Sequence, residues 1–188
     1  VACILSLIVF LPGCNNNFDE ADSPVFITVA SVEGDSEPGP FGDVYNDVVP
    51  GFFPHTVKVT LSAHTNNQAN PPTGTAYTTV QLSSYRVTFY RTDAGADVPA
   101  GFQQALTATV VAGTDTVIGG LTICRADQNL QPPLYYLTPF SYGFEPGTGF
   151  TAISCNCVID FWGHTLAGDP VSATGTVAIN FGDWANEE

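Results

Sequence analysis

The chain has 188 residues, 44% of them hydrophobic, and a formal net charge of −14 from 4 Lys+Arg against 18 Asp+Glu. That apolar fraction supports a core and excludes wholesale disorder, and the length suits one domain with a tail. Four basic residues cannot line an electropositive groove, which excludes a nucleic-acid partner and disfavours attraction to anionic headgroups.

Residues 1–13 form an apolar run ending in Leu11-Pro12-Gly13, followed by Cys14. The run has the length of a signal-peptide hydrophobic region and is too short to span a bilayer. Leu11-Pro12-Gly13-Cys14 resembles the lipobox of bacterial lipoproteins. The resemblance implies cleavage before Cys14, acylation of that cysteine, and export to the outer membrane or cell surface, since Asn15 rather than Asp follows it. Two or three acyl chains give stable anchoring where one does not. Residues 14–23 are polar and acidic without periodicity, as a tether requires. If residues 1–13 are retained instead, Ile4, Leu5, Ile8, Val9 and Phe10 suit a strand donated to a neighbouring subunit of an extracellular filament.

From residue 24 to 188 the hydrophobic period is two. Val57, Val59, Leu61 and Ala63 alternate with Thr56, Lys58, Thr60, Ser62 and His64; Tyr85, Val87 and Phe89 alternate with Arg86, Thr88 and Tyr90. Val171, Ala173, Gly175, Val177, Ile179 and Phe181 alternate with small and polar residues. This is the pattern of half-buried strands. Further strands are expected over 24–32, 76–82, 104–112, 116–123, 134–142 and 150–162, separated by Gly/Pro/Asn/Asp clusters. Residues 41–49 suit one or two helical turns. The reading is an all-β, Ig-like or fibronectin-like antiparallel β-sandwich. The stretches Tyr85 to Phe89, Asp97 to Phe102 and Val171 to Gly182 resemble an uncharacterised group of bacterial secreted β-sandwich proteins. That resemblance implies fold and export, and brings no catalytic residues.

Three cysteines follow the tether: Cys124, Cys155 and Cys157. Export makes a disulfide the default, and Cys155 and Cys157 share one face of a strand. A Cys124–Cys155 bridge, or Cys124–Cys157, is expected; the first closes a loop of about 31 residues and contributes about 3 kcal/mol. Cys124, Cys155, Cys157 and His164 form an alternative metal set, with a spacing unlike standard zinc patterns.

No nucleophile elbow, zinc-protease helix, phosphate loop or dinucleotide fingerprint occurs, so no catalytic residues are nominated. His55, His64 and His164 sit in unlike contexts at strand ends. Eight of the 18 acidic residues lie between Asp19 and Asp47. Asp93 and Asp97 are weak candidates for a bound calcium, though loop acids are more often solvated charge that maintains solubility. Tyr135, Tyr136, Phe140, Tyr142, Phe144 and Phe150 crowd residues 134–150. A core strand packed under a Gly/Pro loop is the simpler expectation. An outward strip carrying Tyr135, Tyr136 and Tyr142 would stack on sugar rings or anchor a protein. The expected function is a non-catalytic, lipid-anchored envelope module with a protein partner. A filament subunit, or an exported carbohydrate-binding module or hydrolase, are the alternatives.

Overall fold

The computed structural model describes residues 23–34, 44–48, 54–66 and 74–184. The apolar run, Cys14 and the tether up to Asp22 lie outside the described residues. Among the described residues eight strands are present: β1 (Val25–Gly34), β2 (Val44–Asp47), β3 (His55–Thr65), β4 (Thr79–Arg91), β5 (Phe102–Val111), β6 (Asp115–Cys124), β7 (Ala152–Thr165) and β8 (Pro170–Gly182). They form a three-stranded sheet ordered β1-β3-β6 and a five-stranded sheet ordered β2-β8-β7-β4-β5. The all-β sandwich expected from the alternation is therefore the architecture, with an immunoglobulin-like order.

Two expectations are corrected. The pairing is not wholly antiparallel, because β2 runs parallel to β8 from Val44↔Ile179 to Asp47↔Gly182. Residues 44–47 are that short edge strand rather than part of a helical turn. Alternation decides it: Val44 and Asn46 are buried while Tyr45 and Asp47 face out, a period of two that a helix cannot satisfy.

The inner faces interdigitate as a single core. Val57, Val59 and Leu61 of β3 are fully buried, as are Ile159 and Phe161 of β7 and Ile179 and Phe181 of β8. Tyr85 is the largest polar-tipped side chain among them. Its hydroxyl donates to the Thr122 carbonyl at 2.9 Å across the sandwich. That bond satisfies the one polar atom burial would otherwise strand.

The register assigns the described loops to the two ends of the sandwich. β1 is antiparallel to β3, and β3 is antiparallel to β6. Ser23 therefore enters at the end shared by Thr65, the 111–115 turn and the 165–170 turn. The opposite end carries the 92–101 loop, the long 125–151 connection and the chain past Gly182. β7 spans 14 residues between these ends, about 45 Å at roughly 3.3 Å per residue.

Candidate functional site

The 125–151 connection is where sequence and structure differ most. A strand was expected over 134–142; a single 3-10 turn at Leu134–Leu137 stands there instead. Pro132, Pro133 and Pro139 have no amide hydrogen to give a ladder, which excludes an interior strand. Leu134 and Leu137, three apart, point into the core at 1% and 0% exposure, as the three-residue turn dictates. Tyr135 and Tyr136 are thereby turned outward. Another turn follows, with the Ser141 and Gly143 amides both donating to the Thr138 carbonyl at 3.0 and 3.1 Å. Gly143 has φ +74°, a conformation that favours glycine.

The aromatics of this connection are on the surface. Phe140 is 79% exposed, Tyr142 59% and Phe144 42%; Phe150 and Tyr135 are also exposed. Tyr136 and Tyr142 have ring centroids 5.7 Å apart, and Tyr142 and Phe144 6.1 Å apart, with interplanar angles of 58° and 48°. The three rings form a continuous tilted row. Of the expected trio, Tyr136 and Tyr142 are in the row, and Tyr135 precedes it on the same turn. Tyr45 and Trp184 form an edge-on pair at the same end of the sandwich, at 5.2 Å. The Trp184 indole donates to the Asn46 carbonyl at 3.1 Å. A contiguous exposed apolar patch is the informative departure from ordinary surface composition.

A buried ion cluster holds this surface. The Arg91 side chain is 4% exposed and that of Glu145 3%. Arg91 donates through Nη1 to Glu145 Oε1 at 2.6 Å and through Nη2 to Oε2 at 3.0 Å, a bidentate fork. Its Nε donates to Asp93 Oδ1 at 2.6 Å, and Nη1 also reaches the Asp97 carbonyl at 2.7 Å. Thr148 Oγ1 donates to Glu145 Oε2 at 2.7 Å. The end of β4, the 92–101 loop and the segment just past Phe144 are thus joined through one guanidinium. Hydrogen bonding from Arg91 holds the Glu145 carboxyl below its ordinary range against the opposing effect of burial. Burial pushes Asp93 up, but hydrogen bonds from Arg91, Ser154 and Gly95 win and hold it low.

This arrangement bears directly on the calcium candidates. Asp93 Oδ1 accepts from Arg91 and the Gly95 amide, and Oδ2 accepts from the Ser154 amide at 2.9 Å. Asp97 faces the cluster with its backbone carbonyl. Arg91 is the cation that the Asp93 carboxylate and the Asp97 carbonyl face. Among the described residues no three His, Cys, Asp or Glu side chains gather as metal ligands.

Cys124, Cys155 and Cys157 are free thiols, all buried. The expected Cys124 bridge to Cys155 or Cys157 is not formed. Cys124 donates to Asn129 Oδ1 at 3.5 Å and accepts from Asn46 Nδ2 at 3.7 Å. Its sulfur thus belongs to a polar cluster with those two asparagines. Cys155 and Cys157 do share the inward face of β7, as the alternation requires. Burial pushes each of the three thiols up to about 12. His164 sits at the far end of β7 beside Gln81 and Pro170, away from the cysteine end. The four-residue metal set is not assembled.

Around His64 the imidazole, hydroxyl and carboxylate groups have separate partners. His64 stacks on Phe26 and is 3.2 Å from Thr28 Oγ1, whereas the Ser62 hydroxyl donates to Asp115 at 2.5 Å. Hydroxyl, base and carboxylate are therefore not in series. Comparison with protein-family models and with curated proteins finds no match to this chain.

Proposed function

We propose that the protein is a non-catalytic binding module of a bacterial envelope, acylated at Cys14 and carried at the outer membrane or cell surface. One observation carries the reading. The row of half-buried Tyr136 with exposed Tyr142 and Phe144 lies at the end of the sandwich opposite Ser23, where the tether joins the domain. An anchor at one end and a rigid aromatic contact surface at the other suit presentation to a partner beyond the anchoring membrane.

The sheet edges favour this reading over a filament built by strand donation. β1 is irregular between Val29 and Ser31, β5 between Ala105 and Ala108, and β6 at Gly119–Gly120 and again near Ile123. β2 is only four residues long. Bulges and short edge strands are the devices by which sheets resist added strands.

Expression with an export signal, labelling with a clickable fatty acid and membrane fractionation test the anchor. The parent chain should be labelled and sediment with membranes, and Cys14→Ser should be unlabelled and released. Identical labelling and fractionation of the two would overturn the anchored reading.

A further inference from the structure

We infer that the Tyr136–Tyr142–Phe144 row binds a neutral polysaccharide, with sugar rings stacked on its faces. The inference rests on the binding-module reading and adds the ligand class. Charge is the first argument. Between Gln128 and Phe150 the sole Asp, Glu, Lys or Arg is Glu145, and its carboxylate is buried under Arg91. The segment that carries the row therefore exposes no charge of its own, on a chain of net charge −14. Such a chain repels polymers of uronate or phosphate, and the neutral segment places no ionic demand on a ligand.

Shape and chemistry are the second argument. The rings follow one another at 5.7 and 6.1 Å, a spacing comparable with the size of one sugar ring. Their planes turn by 58° and 48° from one ring to the next, so successive rings offer differently inclined faces. Aromatic faces meet the C–H faces of sugars, while the Tyr136 and Tyr142 hydroxyls and exposed loop carbonyls meet their hydroxyl groups. The row contains no strand edge, so a peptide adding by backbone pairing has no ladder to join here. Rigidity is the third argument. The turn bonds to Thr138 and the Arg91–Glu145 fork flank the row on both sides, so little ordering remains to be done on binding.

The test uses full-length Cys14→Ser protein in native gels cast with a soluble mixed-linkage β-glucan, xyloglucan, galactomannan or amylose-type α-glucan, and with alginate as an anionic control. At least one neutral polymer should retard the protein, and high salt should not abolish the effect. Tyr142→Ala and Phe144→Ala should each weaken retardation about tenfold, the effect of losing one aromatic stack. Tyr142→Phe should retain most of it. Circular dichroism should show the same β spectrum for every variant, since these side chains are exposed. No retardation by any neutral polymer, retardation by alginate alone, or retardation that survives both alanine variants would overturn the glycan site. Assaying the same mixtures for new reducing ends separates this from the parent reading. Their release would overturn the non-catalytic assignment while leaving the glycan site standing.

Discussion

Arg91 holds the aromatic end of the molecule through a single side chain. A fully hydrogen-bonded buried guanidinium is stabilising only while its partners are present. Removing one member of a buried pair typically costs about 3–5 kcal/mol, because the other charge is left without compensation. Arg91→Met should lower stability by that order at neutral pH, read as a shift in the urea midpoint. The acid dependence follows from the direction in which Asp93 and Glu145 are held. Both carboxyls lie below their ordinary values in the folded state. Their contribution is therefore complete above the ordinary carboxylate range and is lost as pH falls through the depressed folded values. The stability gap between parent and Arg91→Met should shrink from about pH 7 to about pH 3, as carboxylate protonation removes what the arginine balances. A gap constant across that range would show that the cluster acts by packing alone. The same scale yields a prediction for sulfur. Three buried thiols pushed up to about 12 are almost wholly un-ionised near neutrality, and thiolate is the reactive form. Native protein should leave Cys124, Cys155 and Cys157 unmodified by iodoacetamide, while denatured, unreduced protein should be modified at all three. A peptide map that recovers a bridged pair would instead restore the disulfide expected from the sequence.

The strands show why some of the fold was legible and some was not. β8 could be read directly, because Val171, Ala173, Val177, Ile179 and Phe181 keep one parity and all are buried. β4 was harder. Val80 and Leu82 are buried on one parity, then Tyr85, Val87 and Phe89 on the other, so the sequence looks like two strands. The pairing with β7 shifts between Leu82 and Ser84, and the extra residue Ser83 absorbs the change of parity. Opposite the bulge lies Gly163, where an added Cβ would collide with the Gln81 carbonyl oxygen and come within 2.8 Å of Leu82 Cα. Gly163→Ala should therefore destabilise the domain by about 1–3 kcal/mol, the usual cost of overpacking. Thermal denaturation would register it, and an unchanged midpoint would mean that the bulge has room to relax. Over 134–142 the alternation of aromatics suggested a strand, but the prolines carried the deciding information. Leu134 and Leu137 also have the three-residue spacing of a turn. Arg91 and Glu145 were not visible as a pair, because 54 positions separate them and no local pattern marks a contact across that distance. Only an arginine within a β pattern on a chain this poor in cations hinted at a structural role.

At the scale of the whole molecule the two ends differ in kind. One end receives the polypeptide at Ser23. The other carries the buried ion cluster, the aromatic connection after β6 and the Tyr45–Trp184 pair. The alternation of hydrophobic residues predicted the sandwich, yet it could not predict this polarity, which emerges only once strand directions and register are known. The polarity also has a mechanical meaning. If Cys14 is fixed in a membrane and a ligand is gripped at the Tyr142 row, any tension between the two runs along the strand axes. The ladder joining β1 to β3 extends from Val25↔Thr65 to Gly34↔Val57 and would be loaded in shear. Its hydrogen bonds would then share the force together rather than opening one after another from a free end. A domain gripped in this way resists extension best along the axis that joins its two ends.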